Sequence, residues 1–487
     1  MNAVLPAAIV LAAPAAAMVL CALSRRSRTA EMINLCAALV TLAAAAPLPF
    51  LADDHRSLAL GGYLLVDSFG AWVALCAALV YALVSVYAVG YMRLLQEPRR
   101  LPRFYALFAG FALTTLAAPL MNNAGVYWIA VELTTLVSTF LVGFERAPES
   151  IEAAWKYIVV VSAGISMALL GTVLFYWAGT AVLGASYDMT WSALADAAPR
   201  MNSGLITLAF LFVLVGYGTK VGLAPMHTWL PDAHSEAPAP VSALLSGGLL
   251  NTAMVGIVRL LDVSDRSGGG ELAHKMLVVL GVASLAVGAL FIVRQHGVKR
   301  LMAYSSIEHM GVVALGFGFG GPLGIAGALY HMLNHSLCKS LMFFGAGVAM
   351  RGYGTKDMTG IRHFGLRFPL TGALWLAGAV AITGAPPFGL FLSELTILRA
   401  GFVPGTLWAA TLMLVLLVVV FAGFLNHYRQ MYFTEAPGEV HAAAVADPWC
   451  VAPMALALAP LLVLGLWWPA GFTRLFGHIA AALGATP

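Results

Sequence analysis

"TKVGLAPMHTWLPDAHSEAPAP", residues 219–240, sets a lysine, two histidines, two acids and four prolines inside strongly apolar sequence. To its left runs "ITLAFLFVLVGYG" (206–218) and to its right "VSALLSGGLLNTAMVGIV" (241–258). Both flanks are too continuously apolar for the alternating strands of a membrane barrel, so they read as membrane-spanning helices. The polar stretch then interrupts a helical membrane protein. Glycine and proline at membrane depth survive only where the freed backbone lines protein or a wet cavity.

The rest of the chain agrees. Its 487 residues are 61% hydrophobic and 10% charged, an integral membrane composition. The first apolar stretch, 3–23, has no basic residue before it, and Arg25, Arg26 and Arg28 follow, so it is expected to be a first span rather than a signal peptide. The net charge of +4 is small and dispersed, which argues against a nucleic-acid partner. Cys21, Cys36, Cys76, Cys338 and Cys450 stand singly, without the spacing of a zinc site or an iron–sulfur cluster. No cofactor or metal is expected in this chain, and any redox chemistry belongs to partners.

Apolar runs set against breaks give about fourteen spans: 3–23, 30–51, 63–92, 103–121, 124–144, 155–180, 204–226, 240–261, 274–294, 301–319, 322–350, 368–401, 405–428 and 449–468. Placing segments 24–29, 93–103, 145–156, 227–239, 294–300, 351–367 and 429–448 on one side gathers 17 of the 26 Lys and Arg residues there. Seven fall on the other side, while Lys220 and Lys339 lie inside spans. The positive-inside rule then makes 227–239 a cytoplasmic loop and puts both termini outside, in the periplasm of a bacterial cytoplasmic membrane.

A charge at the centre of a span costs about 2.5–3.5 kcal/mol on insertion scales, so each one requires a partner, water or a function. Glu132, in "VYWIAVELTTLVSTFLVGF", is either a protonated acid tying two helices together or a titrating carboxylate. Lys220 either snorkels to the interface or serves a broken helix of the kind ion-translocating proteins contain. In "YHMLNHSLCKSLMFF", His331, His335 and Lys339 recur every fourth residue, on one stripe of a helix with Ser336 and Asn334 beside it. That stripe suits a proton relay; a structural ladder is the alternative. A metal site lacks a third carboxylate or thiolate nearby in sequence. Glu394 follows a Gly and Pro break into an apolar helix. Lys299 is either an interfacial anchor beside Arg300 or a member of a buried chain through Ser305 or Glu308.

The opening stretch has an echo. "GLAPMHTWLPDA" from Gly222 and "GAPPFGLFLSEL" from Gly384 share Gly, Pro three residues on and an acid ten residues on: Gly222, Pro225, Asp232 and Gly384, Pro387, Glu394. The two breaks fall in the seventh and twelfth spans, and an odd offset reverses orientation in the membrane. Inverted repeats with discontinuous helices in corresponding places are a transporter signature. The expected organisation is an N-terminal three-helix segment (1–102), a first repeat of spans 4–8 (103–262), a second of spans 9–13 (263–430), and a final span and tail (431–487).

With "KVGLAPMHTWLPDAHSEAPAPVSALLSG" (220–247), "VKRLMAYSSIEHMG" (298–311), "HMLNHSLCKSLMFF" (331–344) and "GAPPFGLFLSE" (384–394), the chain resembles a family of antiporter-like subunits over roughly residues 60–430. Respiratory complex I, multisubunit Mrp cation/proton antiporters and membrane-bound energy-converting hydrogenases share that family. "SEAPAPVSALLSGGLLNTA" (235–253) is most similar to the F subunit of hydrogenase-4 and its formate hydrogenlyase-type relatives. The resemblance implies two half-channels joined by a polar axis. Glu132 and Lys220 would be the acid–lysine pair of the first, His331, His335 and Lys339 the central and second relay, and Glu394 the terminal acid. His227, Asp232 and His234 resemble the polar loop after the first break and would either admit protons or close the loop.

Two features depart from the family. Asn251 stands where complex I relatives usually carry lysine in span 8, and asparagine does not titrate. The chain also stops about nineteen residues after span 14, without the long lateral helix of the distal complex I subunit, and so resembles the shorter type. The implied function is a proton-translocating subunit of a membrane-bound redox complex. Glu132 would hold a proton on Lys220 when near and release it toward Lys339 and Glu394 when withdrawn. Other membrane subunits and a peripheral redox arm carrying iron–sulfur clusters and a nickel–iron centre are the implied partners. A sodium-exchanging Mrp-type subunit and a transport-inactive scaffold, the latter favoured by Asn251, are the alternatives.

Overall fold

The computed structural model describes residues 3–52, 57–94, 98–434 and 446–485. Residues 95–97 and 435–445, parts of the basic segments 93–103 and 429–448, lie outside this range. α1 (Val4–Leu23), α2 (Ser27–Ala45) and a short α3 (Leu48–Leu51) lead to a small antiparallel hairpin, β1 (Ser57–Ala59) and β2 (Leu64–Val66), with Ser57 opposite Val66. Then come α4 (Ser68–Arg93), α5 (Leu101–Ala117), α6 (Ala124–Val142), α7 (Pro148–Leu183), a short α8 (Trp191–Ala197) and α9 (Ser203–Val221). After the first break the chain forms α10 (Trp229–Glu236), α11 (Ala239–Leu244) and α12 (Leu250–Arg266), the last two joined by a π-helical turn at Leu245–Leu249.

The second half holds α13 (Gly270–Val293), α14 (Val298–Phe319), α15 (Gly321–Tyr353), a short α16 (Phe364–Arg367), α17 (Pro369–Ile382) and α18 (Gly389–Gly401). α19 (Leu407–Phe433), α20 (Pro448–Leu466) and α21 (Ala470–Ala482) complete it. Several starts are set by side-chain caps that satisfy otherwise unpaired N–H groups. Asp67 accepts from Gly70 N at 2.9 Å, Asn123 from Gly125 N at 2.8 Å, and Asn202 from Leu205 N at 2.9 Å.

Every predicted span contains a helix, and the protein is an all-α integral membrane protein. Among the described residues, eleven helices are long and apolar enough to cross a membrane. The other three predicted spans are α14, α15 and the α17–α18 pair. The first two carry the buried polar groups along their length, and the pair is divided by the second break.

Burial explains the arrangement. Large apolar side chains face outward on the peripheral helices: Phe140 on α6 is 61% exposed, Trp155 on α7 68% and Val418 on α19 61%. The inner helices reverse this pattern. α12, α14 and α15 are buried along most of their length and carry the inward-facing Asn251, Glu308, His309, His331, His335 and Lys339. That is where a bilayer forces ionisable groups to lie. α15 packs against α4, α14, α17, α18, α20 and α21 and so forms the axis of the second half. The C-terminal α21 seats Phe472 and Phe476 edge-on against Trp72 of α4.

One expectation is corrected. Segment 227–239, expected as a loop, is instead helical over Trp229–Glu236: α10 is folded into the protein with Trp229, Leu230, Ala233 and His234 buried. The Trp229 indole donates to the Thr219 carbonyl at 2.7 Å, and Ser242 Oγ donates to the His234 carbonyl at 2.8 Å. These bonds satisfy backbone oxygens that water serves in a solvated loop.

Candidate functional site

The first break is closed by glycine. α9 ends with Gly222 at φ +84°, with Leu223 N–H donating to Gly218 O at 2.8 Å and Gly222 N–H to Thr219 O at 3.2 Å. This is the paired hydrogen-bond pattern of a left-handed helix stop. Ala224 N–H, freed by the break, donates to Ser284 Oγ on α13 at 2.8 Å. A cis peptide bond precedes Pro225.

Lys220 lies in the last turn of α9 and is fully buried. Its ammonium donates to Thr135 Oγ1 on α6 and to the Tyr157 hydroxyl on α7, each at 2.8 Å; Tyr157 in turn meets Ser138 Oγ at 2.7 Å. Glu132 is one turn from Thr135, but its Oε1 accepts from Ser162 Oγ on α7 at 2.7 Å and its Oε2 is buried without a partner. No direct hydrogen bond joins the acid–lysine pair implied by the family resemblance. Glu132 points toward α7, and the residue three positions on takes the lysine. Sequence reading misses these hydroxyls because Ser, Thr and Tyr in an apolar helix more often bond their own backbone or pack as core.

Around the π-helical turn, Asn251 Nδ2 donates to Met332 O at 3.2 Å and to Ser336 Oγ at 3.0 Å, while its Oδ1 is buried and unpartnered. Asn251 thus ties α12 to α15. Ser246 and Ser306 meet at 2.8 Å beside it, and Lys339 on α15 donates to Ser305 Oγ at 2.7 Å and to Met302 O at 3.2 Å.

The second break ends α17, with Gly384 at φ +66° and a cis peptide bond before Pro387. Beyond it, α18 carries Ser393 and Glu394 toward α14 and α15. His331 Nδ1 lies 2.9 Å from Ser393 Oγ, and its Nε2 lies 3.0 Å from His309 Nδ1. His309 Nε2 is 3.4 Å from Glu308 Oε2. His309, His331 and Glu394 each present a possible ligand atom, all within 4.8 Å of one another. Sequence reading misses His309, whose partner lies 22 residues away on the next helix. The third carboxylate, absent near His331 in sequence, is Glu394, delivered by the second break.

The remaining candidates divide. His335 packs 5.5 Å from the His309 ring with both ring nitrogens unpartnered, and so joins the cluster. His234 is fully buried against Phe343 of α15, again with both nitrogens unpartnered. His227 is half-buried with Nδ1 unpartnered. Asp232 pairs with Arg300 at 3.0 Å and with Lys156 at 3.4 Å, an ion network fastening α10 to α14 and α7. Lys299 donates to the Ala237 carbonyl and thereby holds the end of α10.

The family model described as "NADH:quinone oxidoreductase/Mrp antiporter, TM" matches residues 122–421, which include both breaks. The chain is 38% identical over 344 residues to the "Hydrogenase-4 component F homolog" of Methylacidiphilum infernorum, covering 70% of this chain and 72% of the relative. Among solved structures, the archaeal membrane-bound sulfane sulfur reductase contains a similar chain, with a TM-score of 0.87 at 23% identity, covering 98% of this chain and 97% of that one. The Mrp complex of Dietzia sp. DQ12-45-1b contains another, with a TM-score of 0.84 at 22% identity and the same coverage.

Proposed function

The chain belongs to the NADH:quinone oxidoreductase/Mrp antiporter transmembrane family, and on that footing we propose that it carries protons as the antiporter-like subunit of a redox-driven membrane complex of the hydrogenase-4 type. One observation carries the reading: Lys220, Lys339, Glu308, His309, His331, His335 and Glu394 are all at most 5% exposed inside an apolar bundle. Ionisable groups held at such depth are expensive without a function. Their polar atoms gather around two hydrogen-bonded strings. Lys220, Thr135, Tyr157 and Ser138 make the first; His309, His331 and Ser393 make the second, with Glu308 and Glu394 alongside.

The strings supply what a proton path needs. Lysine, histidine and carboxylate both accept and release protons, and the hydroxyls between them relay by rotation. Between the strings lie unpartnered buried atoms of His234, His335 and Asn251, the kind of group that ordered water serves. The lack of a titrating group at Asn251 is then bridged by water and by His335. Glu132 sets the state of Lys220 by where its carboxylate points: a rotation from Ser162 toward Lys220 holds the ammonium charged, and its return to Ser162 releases the proton. The two breaks, each with a left-handed glycine, support reading 103–262 and 263–430 as inverted repeats.

The redox centres, iron–sulfur and nickel–iron, belong to a peripheral arm, and neighbouring membrane subunits bias Glu132 from outside. The Lys and Arg asymmetry supports a bacterial cytoplasmic membrane with both termini periplasmic. Purification in mild detergent with identification of the bound subunits tests the assignment. A nickel–iron large subunit is the expected companion. Mrp-type companions with sodium-dependent proton flux in the absence of a redox substrate would overturn it.

A further inference from the structure

The groups that carry the second string also make a metal site. Ser393 Oγ donates its single hydrogen to the Leu390 carbonyl at 2.8 Å, so toward His331 Nδ1 it can only accept. With Ser393 accepting, His331 carries its proton on Nδ1 and presents the lone pair of Nε2 to His309 Nδ1 across 3.0 Å. This is the arrangement of a ligating histidine, one ring nitrogen oriented by a hydrogen-bond acceptor and the other offered inward. Glu394 supplies a carboxylate whose Oε1 is buried without a hydrogen-bond partner, and the Asn334 amide oxygen is likewise unpartnered.

We propose that His309, His331 and Glu394 bind a divalent transition-metal ion of the zinc class, which takes the place of the proton shared by the two imidazoles. Two imidazole nitrogens and one carboxylate oxygen match the donor sets of zinc sites that keep open positions, and they are a poor set for sodium or magnesium, which take oxygen donors. The second break is the proposed point of entry: Gly384 and Ala385 are partly exposed and Pro386 and Pro387 exposed, and the Glu394 carboxylate fills the space a side chain at Gly384 would take. Binding stands on these side chains alone. Its consequence, that the bound ion closes the proton path at the His309–His331 contact, rests on the transport reading above.

The test uses the full chain without a polyhistidine tag, stripped with chelator and titrated with Co2+ in detergent. One equivalent should bind with the visible absorption of low-coordinate cobalt and be displaced by Zn2+. His309→Gln and Glu394→Gln should abolish the signal. Ser393→Ala, a milder change that removes only the group orienting His331, should weaken binding about 10–100-fold. His274→Gln, outside the cluster, should leave it unchanged. No bound cobalt in the parent chain, or binding that survives His309→Gln with His331→Gln, overturns the site. In liposomes carrying the complex, Zn2+ should stop proton flux; flux that continues with the site occupied overturns the block. Failure of the transport reading is distinguishable, since it shows as flux insensitive to Lys220→Ala while the cobalt signal is untouched.

Discussion

A methyl group added at Gly222 would meet a methyl of Leu230; one added at Gly384 would meet the carboxylate of Glu394. Both glycines sit at positive φ, +84° and +66°, and both end a helix before a proline three residues on. Beyond the glycines the two halves diverge. After the first break the chain folds back as buried α10, and the charged group, Lys220, stays behind in the preceding helix among hydroxyls. After the second, the acid comes from the next helix, α18, and is pressed against the break itself. The same backbone device therefore serves a lysine held at a distance in one half and a carboxyl group held in contact in the other.

Exchanging each glycine for alanine separates the two. A left-handed alanine costs about 1–2 kcal/mol at either position, so Gly222→Ala and Gly384→Ala should lower thermal stability in detergent by similar amounts. Only Gly384→Ala places a methyl where the Glu394 carboxylate lies, so it should abolish most proton flux. Gly222→Ala displaces only the flexible end of Leu230 and should retain flux. Equal flux in the two variants breaks the comparison.

A smaller effect belongs to the hydroxyl cradle. Tyr157→Phe removes one of the two side-chain acceptors of Lys220, worth about 1.5–3 kcal/mol for a bond to a charged group. Proton flux should fall about tenfold, equivalent to about 1.4 kcal/mol, with assembly intact by native gel. Unchanged flux removes Tyr157 from the path.

The smallest effect is expected at Asp232. Asp232→Asn weakens the pairs with Arg300 and Lys156, which are partly exposed and together worth below about 1 kcal/mol. Flux should stay at the parent level while the thermal midpoint drops slightly. A strong loss of flux would instead make Asp232 an entry group.

Local features of the fold are legible in the sequence, and contacts between helices are not. The spans and both breaks can be read from apolar run length, Gly222, Pro225, Gly384 and Pro387. The stripe of His331, His335 and Lys339 comes from helical spacing alone. Partners across helices depend on packing: His309 meets His331 because α14 packs along α15, and Glu394 reaches them because α18 does too. Which of Glu132 and Thr135, one turn apart on α6, bonds Lys220 depends on how α6, α7 and α9 pack, and no residue type announces that. The polar stretch 227–239 reads as a loop, yet it holds α10, and hydrogen bonds with Thr219, Ser242 and Lys299 tie it to the neighbouring helices.

The central claim is that the buried groups of both halves carry the proton that electron transfer drives. Redox-linked proton uptake, followed together with electron transfer in proteoliposomes of the purified complex, tests it through Lys220→Ala and Glu132→Ala. The account predicts assembled complexes that still transfer electrons but take up no protons. Proton uptake at the parent ratio in both variants would contradict it.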